Sequence, residues 1–163
     1  MNFIPVSYET ILTFREMYAD YVYDDLQKYS SFIQSRNLTK DKLRAEALNF
    51  IYNAHSQVYL LQKDYNYCGF CVICASPKKI ALYSDFHITE FYIAKKFRDK
   101  GLGSEAVEAL LKDKSGQVVS LDILDCNLPA QKFWHKVFKK YGKDISKFPD
   151  KEADFTLHYF TVR

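Results

Sequence analysis

The feature that most constrains the fold is a strand, a helix and a second strand in direct succession. The segment DFHITEFYI, residues 85–93, has the β-branched and aromatic residues of a strand, and QVVSLDIL, residues 117–124, is similarly apolar. Between them, residues 103–111 have the spacing of an amphipathic helix. This succession predicts a β-α-β unit, from which mixed α/β sheets are built.

Two helices are expected before this unit. A stripe of apolar side chains over residues 11–29 predicts a long helix with Ser7 as its N-cap. The polar stretch at residues 34–42 breaks that helix, and a second helix follows with Thr39 as the candidate cap.

The rest of the chain adds strands and one more helix. Two apolar runs, residues 57–62 and 67–75, flank a polar KDYNY segment and predict a hairpin. A helix begins near Asn127, and an irregular strand around residues 144–148 precedes the last strand, residues 154–162. The order β-α-α-β-β-β-α-β-α-β predicts an α/β fold, with a mixed central sheet flanked by about four helices.

Composition and charge narrow the functional classes. With 163 residues, 48% of them hydrophobic, the chain suits a single domain over residues 1–163. The formal charge of +3 is too small, and the basic residues too dispersed, for general nucleic-acid binding. MNFIPVSYETIL lacks the pattern of a signal peptide, and no apolar run reaches the roughly eighteen residues of a membrane span. We therefore expect a cytoplasmic protein with no membrane partner, and no pattern specifies its oligomeric state.

Three closely spaced cysteines raise the question of a metal site. Cys68, Cys71 and Cys74 form no recognisable zinc spacing with the nearest histidines, His55 and His87. Alternate side chains of a strand face opposite ways, so Cys71 is expected to point away from the other two. We interpret the cysteines as core residues and expect no metal site.

The RDKGLGS segment begins the helix of the β-α-β unit. The first turn of a helix has unpaired N–H groups and the positive end of the helix dipole, so it favours an anion. Gly101 and Gly103 allow a phosphate to approach the backbone closely. Arg98 and Lys100 add positive charge, and Ser104 adds a hydroxyl. The spacing R-x-x-G-x-G also fits glycines that serve only the turn, and it matches neither the Walker loop nor the dinucleotide pattern.

Two motifs resemble those of the GNAT superfamily of N-acetyltransferases. The order of helices and strands also resembles that of the superfamily over nearly the whole chain. FYIAKKFRDKGLGSEAVEALL, residues 91–111, is similar to the family's acetyl-CoA motif. DCNLPAQKFWHKV, residues 125–137, is similar to the following N-x-x-A-x-x-[FL]-[YW] helix. The resemblance implies the GNAT (acyl-CoA N-acyltransferase) fold and acetyl-CoA as co-substrate.

The resemblance also implies which residues bind that co-substrate. In the family the R-x-x-G-x-G loop wraps the pyrophosphate of coenzyme A with backbone amides, which implies this role for Arg98, Asp99, Lys100, Gly101, Leu102, Gly103 and Ser104. The central strand bonds the pantetheine arm through its backbone, which implies that role for Phe91, Tyr92 and Ile93. Asn127 is implied to contact the arm from the other side, and Phe133 belongs to the same binding motif.

Two residues of the central strand are candidates for proton transfer. By the resemblance, His87 stands at the general-base position, and a neutral histidine suits that task. The alternative is a strand histidine that packs or lines the substrate pocket. Strict alternation would place Glu90 opposite His87, but a β-bulge, usual in the family, would turn both toward the site. A solvent-facing or salt-bridged Glu90 is the competing interpretation.

Trp134 departs from the family pattern, because many relatives place there a tyrosine that protonates the coenzyme A thiolate. An indole N–H donates a hydrogen bond but is no practical proton source. Water or a neighbour has to supply the proton, and Tyr92, Cys126 and His135 are the side chains to consider.

The sequence therefore predicts an acetyl-CoA-dependent N-acetyltransferase that acts on a primary amine of a small molecule or peptide. The alternative is a non-catalytic coenzyme A binding or sensor module with the same fold. The acceptor is unidentified, and its pocket is expected around KYSSFIQSRNLTK and DFTLHYF. These segments lack a dense acidic patch, which argues against a polycationic acceptor.

Overall fold

Seven strands form one mixed β-sheet in the computed structural model, which describes residues 1–75, 84–150, 152 and 154–163. The strands are β1 Asn2–Pro5, β2 Ser56–Lys63, β3 Asn66–Ala75, β4 Phe86–Ile93, β5 Val118–Leu124, β6 Gly142–Asp150 and β7 Phe155–Val162. They lie in the order β1-β2-β3-β4-β5-β7-β6, and all neighbours are antiparallel except β4 and β5. The parallel pair is the expected β-α-β unit, and the predicted α/β fold class is confirmed.

Within the described ranges, five α-helices accompany the sheet: α1 Ile11–Asp20, α2 Ser31–Ser35, α3 Lys40–Tyr52, α4 Leu102–Leu111 and α5 Leu128–Tyr141. About four were expected, and the additional helix is the short α2. The long helix predicted over residues 11–29 is helical throughout but changes its winding, because α1 continues as a π-helical segment, Tyr21–Leu26, and a 3-10 turn, Gln27–Tyr29. None of the described helices combines the length and apolarity needed to cross a bilayer.

The start of α1 differs from the prediction, whereas that of α3 agrees with it. Thr39 caps α3, since its hydroxyl oxygen accepts a hydrogen bond of 3.3 Å from the N–H of Lys42. Ser7 is not the cap of α1: the cap residue is Thr10, and the N–H of Ser7 donates to the Thr10 hydroxyl at 2.9 Å. A turn closed by Ser7 and Thr10 therefore precedes α1 and delays its start.

The strand after α5 is longer than predicted. An irregular strand was expected around residues 144–148, whereas β6 spans Gly142–Asp150 and pairs with β7. The irregularity is a register shift between Lys143 and Ser146.

The hydrophobic core is split into two clusters by the sheet. One lies beneath α4 and α5 and includes Val107, Trp134 and Phe160. The other lies beneath α1 and α3 and includes Phe14 and Phe70. The face of the sheet on which a side chain lies therefore determines which helices it meets.

Two of the three cysteines of β3 are core residues, whereas Cys74 is only partly buried, and the predicted directions are partly wrong. Cys68 and Cys71 are both fully buried, and both belong to the cluster beneath α4 and α5. Cys71 was expected to point away from Cys68. The register between β2 and β3 shifts at Leu61 and Gln62, which inserts an extra residue into β3 beside Cys68 and breaks the alternation there.

A β-bulge in β4 puts His87 and Glu90 on the same face of the sheet. His87 pairs with Cys74 and Glu90 with Val72 across the ladder with β3, so the register gives β4 one extra residue at Thr89. Directly paired residues share a face, and Val72 and Cys74 lie two residues apart. Of the alternatives considered for β4, the structure has the bulge rather than strict alternation, and the bulge turns both candidate side chains to the α1 and α3 face.

Beyond the bulge, β4 and β5 separate. The parallel ladder joins residues 86–88 of β4 to residues 119–121 of β5. β4 continues to Ile93 and β5 to Leu124, and in the described part of the chain no further pairing joins them. The sheet therefore contains a wedge-shaped gap between two of its central strands.

Close packing of β3 against β4 gives a test of this geometry. A Cβ added at Gly69 would lie 2.0 Å from the backbone oxygen of Tyr92, so Gly69→Ala has to displace β4. We expect it to lower the free energy of unfolding by at least about 3 kcal/mol, the upper end of typical overpacking costs. Gly116→Ala is the matched control, because the added carbon meets no atom within 4 Å and carries only the strain of a positive φ, about 1 kcal/mol. Equal losses for the two variants in urea denaturation would contradict the close approach.

Candidate functional site

A cleft of about 820 Å³ opens where β4 and β5 separate. The π-helical segment, the start of α4 and the start of α5 complete its walls. The structure brings nearly all the sequence-predicted site residues to this cleft: His87, Glu90, Phe91, Tyr92, Ile93, Arg98, Asp99, Gly101, Leu102, Gly103, Ser104, Asn127 and Phe133. Lys100 is the exception, because its Nζ donates to the carbonyl of Lys96 at 3.2 Å and lies over the ring of Phe97.

The backbone of β4 offers hydrogen-bonding groups to the gap. The N–H of Ala94 donates to the carbonyl of Cys68 at 2.9 Å, so the backbone groups of Ala94, and of Tyr92 two residues earlier, point toward β3. Directions alternate along a strand, so the backbone groups of Phe91 and Ile93 point toward β5. Phe91 and the N–H of Ile93, rather than Tyr92, can therefore pair with an extended ligand in the gap, while the carbonyl of Ile93 accepts from Nε of Arg98 at 2.8 Å.

The loop before α4 has the conformation of an anion-binding turn. Asp99 and Gly101 both have positive φ, 60° and 76°, and Gly101 is the N-cap residue of α4. The carbonyl of Gly101 accepts from the N–H of Glu105 at 3.0 Å. The N–H groups of residues 102–104 have no intrahelical acceptor, as in any first helical turn, and these residues line the cleft.

Arg98 is fixed by contacts on both sides of the cleft. Its Nη2 donates to Oδ2 of Asp25 at 2.7 Å, its Nε donates to the carbonyl of Ile93 at 2.8 Å, and its guanidinium lies 5.4 Å from the ring centre of Tyr92. Burial raises the pKa of Asp25, but Arg98 and Lys95 outweigh that effect and hold the pKa below its ordinary value. Arg98 therefore anchors the loop to the π-helical segment, and Asp25 partly neutralises its charge.

Aromatic rings form the α5 wall of the cleft. Phe91 and Phe133 stack with ring centroids 5.8 Å apart, and Trp134 meets both rings edge-on. A Cβ at Gly103 would lie 3.1 Å from the ring of Phe133, so the loop glycine and this wall are in close contact. An apolar ligand arm in the gap would lie against these rings.

The start of α5 contributes polar groups to the same wall. Asn127 lines the cleft, but its Oδ1 accepts a hydrogen bond of 3.2 Å from the N–H of Ala130 and thereby caps α5. Lys132 and Lys136, one helical turn apart, also line the cleft and place positive charge on this wall.

His87 is held neutral with one ring nitrogen directed to the cleft. The Nδ1 atom is 2.9 Å from Oγ of Ser120, which is 2.9 Å from Oγ of Ser84. The Nε2 atom is 3.6 Å from Oδ2 of Asp122. Burial lowers the pKa of His87 to about 4, so the imidazole is uncharged at pH 7.

Glu90 also lines the cleft, where it is partly buried and its charge is poorly solvated. Burial raises the pKa of Glu90 to about 7; the hydroxyl of Tyr21, within reach of a hydrogen bond, lowers it, and the negative charge of Asp122 raises it further. The carboxyl group is therefore divided between its protonated and ionised forms near neutral pH. A group in that state can accept or release a proton without a large driving force.

Sequence reasoning missed three residues of the cleft. Asp122 could have been found, because Ser120 and Asp122 are the polar members of an alternating pattern in β5. Asp25 and Tyr21 carried no such signal, since the π-helical winding that directs them to the cleft has no recognisable local sequence pattern. In the described ranges, no group of three or more His, Cys, Asp or Glu side chains is placed to hold a metal ion.

Comparisons with known proteins agree with this geometry. The sequence model of the acetyltransferase (GNAT) family matches residues 15–139 of the chain. The comparison with curated protein sequences gives no match.

Solved structures of low sequence identity share the fold. An acetyltransferase from Thermus thermophilus has a TM-score of 0.71 at 13% identity, covering 99% of this chain and 96% of its own. An N-acetyltransferase from Staphylococcus aureus gives 0.66 at 13%, covering 99% and 100%. The PaiA N-acetyltransferase from Thermoplasma acidophilum, solved in complex with coenzyme A, gives 0.58 at 19%, covering 97% and 98%.

The raised pKa of Glu90 has a consequence for stability. A carboxyl group whose folded pKa is about 7, against an ordinary 4.5, stabilises the fold when protonated, and this contribution is lost as pH rises through about 7. Glu90→Gln cannot ionise, so between pH 5 and pH 8 its stability relative to the wild type should rise by about 1–3 kcal/mol. Urea denaturation at both pH values measures this, with the exposed Glu152→Gln as control. A pH-independent difference between Glu90→Gln and the wild type would show that Glu90 is well solvated.

Proposed function

The chain belongs to the acetyltransferase (GNAT) family, and from this premise we propose that it transfers an acetyl group from acetyl-CoA to a primary amine by direct attack in a ternary complex. The acceptor is a small molecule or a peptide. The observation that carries the proposal is the convergence, in one cleft, of an anion-binding helix start, an unpaired strand edge and two side chains suited to proton transfer. Each of these serves a different part of the reaction.

The residues of the cleft fit the chemical parts of acetyl-CoA. The N–H groups of residues 102–104 suit the pyrophosphate, and the backbone groups of Phe91 and the N–H of Ile93 suit the amides of the pantetheine arm. Lys132 and Lys136 suit the additional phosphate of the nucleotide. The role of Arg98 is to hold the loop through Asp25, which leaves phosphate binding chiefly to the backbone.

Glu90 and His87 are the candidates for removing the proton of the acceptor. An amine attacks only when neutral, so a protonated amine has to lose a proton before its nitrogen bonds to the carbonyl carbon of the thioester. Glu90, with a pKa of about 7, can accept that proton at pH 7, and the neutral His87, whose pKa is about 4, is the weaker base of the two. The nitrogen then loses its second proton, to the same base or to water, the C–S bond breaks, and the sulfur takes up a proton.

Trp134 is unsuited to donate that last proton. It is 6% exposed and packs against Phe91 and Phe133, and the indole does not release a proton at neutral pH. Cys126 and His135 lie outside the lining of the cleft, whereas Tyr92 lines it on the same α1 and α3 face as His87 and Glu90. We therefore assign the proton of the thiolate to water or to the hydroxyl of Tyr92. The same tryptophan favours the alternative, a coenzyme A sensor without turnover.

Binding of coenzyme A at the loop can be tested with two matched glycine variants. Gly101→Val puts a side chain at the start of α4, where the backbone should approach the pyrophosphate, and coenzyme A affinity in calorimetry should fall by at least about tenfold. Gly116→Val is the control, because Gly116 also has a positive φ and open space around it but lies outside the cleft. If both folded variants bind coenzyme A as the wild type does, the loop is not its binding site.

Catalysis by His87 can be tested once a coenzyme A release screen over amines, amino acids and peptides has identified an acceptor. His87→Ala should lower kcat by about tenfold to a thousandfold, with acetyl-CoA affinity retained. Trp134→Tyr, which introduces the missing hydroxyl, should leave kcat unchanged or raise it. The exposed His55→Ala is the control. Full activity of His87→Ala would leave Glu90 or water as the base, and coenzyme A binding without turnover on any amine would favour the sensor.

A further inference from the structure

The face of the sheet that carries His87 and Glu90 is covered by helices only in part. The buried cluster beneath α1 and α3 contains residues of β2, β3 and β4, and among the described residues it contains none of β5, β6 or β7. The corresponding face of β5, β7 and β6, which we call the open face, therefore lacks that cover. The open face begins at the cleft, since Asp122 and Phe155 lie on this face and also line the cleft.

The open face combines apolar rings with negative charge. Cross-strand pairing with β5 and β7 places on it Asp122, Phe148, Asp150, Phe155, Leu157 and Tyr159. The rings of Phe148 and Tyr159 meet edge-on with centroids 5.8 Å apart. Phe148 is 44% exposed and Tyr159 only 5%, so Phe148 presents the accessible ring and Tyr159 supports it from below. Lys147 pairs with His158 and so lies on the opposite face, whereas Lys143 pairs with Thr161 at the end of the open face that is remote from Asp122. The charged group where the open face meets the cleft is the carboxylate of Asp122.

Asp122 lies where the open face meets the candidate catalytic groups. Its Oδ2 is 3.6 Å from Nε2 of His87, and its side chain is 40% exposed. His87 is neutral at pH 7, so it does not compensate the charge of Asp122. Within the described ranges, no ion pair joins Asp122 to a lysine or arginine. A cation from solution can therefore pair with this carboxylate beside the reacting centre.

We propose that the acceptor is a cationic amine with an apolar or aromatic body, that Asp122 binds its ammonium group, and that the rings of the open face bind its body. This inference rests on the proposed function and specifies its acceptor. Asp122 would act as a specificity residue, because it recognises charge before the nitrogen is deprotonated. An acceptor with a carboxylate beside the amine would be disfavoured, since that group would face Asp122.

The ionisation of Asp122 is compatible with this role. Burial among the walls of the cleft raises its pKa to about 6, and the negative charge of Asp150 adds to the effect. Asp122 is therefore mostly ionised at pH 7.5, while Glu90 remains partly protonated. The neighbouring groups on other strands, His87 and Tyr159, are uncharged at that pH.

The test measures binding separately from turnover. The protein saturated with coenzyme A is titrated at pH 7.5 with 2-phenylethylamine and with its uncharged isostere, 2-phenylethanol, in calorimetry. The amine should bind at least about tenfold more tightly than the alcohol. Asp122→Asn should abolish that preference, whereas Asp113→Asn, at an exposed aspartate after α4, should preserve it. Phe148→Ala should weaken both ligands by a similar factor.

The outcomes separate this inference from the proposed function. Any of three results would overturn the inference, even if other amines are acetylated. The first is that Asp122→Asn keeps the preference for the amine over the alcohol, the second is that 2-phenylethylamine does not bind, and the third is that spermidine binds more tightly than 2-phenylethylamine. Binding that depends on Asp122 but is followed by no acetylation when acetyl-CoA replaces coenzyme A would support the inference and overturn the proposed function. Discrimination against L-phenylalanine, which adds a carboxylate to the same body, should accompany a positive result.

Discussion

The separation of β4 from β5 beyond residues 88 and 121 is the constraint on which the site depends. If the two strands continued side by side, their backbone groups would bond each other, and no edge would remain for a ligand. The bulge at Thr89 lies at the point of separation and brings Glu90 to the same face as His87. One irregularity in one strand is thus associated with both the binding edge and the pair of titratable side chains.

The electrostatics of the cleft follow from unequal solvation of neighbouring groups. His87 is buried with hydroxyl partners and stays neutral, Glu90 is buried with a phenol and titrates near neutral pH, and Asp122 is partly exposed and keeps its charge. These three groups lie within a few residues of the strand separation, yet each is in a different state at pH 7. A carboxylate for recognition and a second group for proton transfer can therefore operate side by side.

Much of the fold and part of the site could be predicted from the sequence. The strands, the crossover helix and the loop from Arg98 to Ser104 carry local signals, namely periodicity, glycine placement and a helix start. The cap of α1, the extra residue beside Cys68 and the winding change at Tyr21 depend on how neighbouring elements pack, so no local pattern specified them. Lys100 shows the same limit: its position in a motif placed it in the site, but its side chain turns back to Lys96. The open face combines residues from three strands, and only its β7 part was anticipated.

The ladder between β4 and β5 also bears on the mechanical behaviour of the molecule. It joins three residue pairs, fewer than any other ladder of the described sheet, and it links one contiguous half of the chain, β1 to β4, with the other, β5 to β7. A change in the spacing between β4 and β5 is therefore resisted by fewer backbone hydrogen bonds than a change at any other boundary of the described sheet. The site thus occupies the seam with the fewest ladder pairs, and the hydrophobic cluster beneath α4 and α5, which contains Ile88 of β4 and Leu121 of β5, holds the two halves together there.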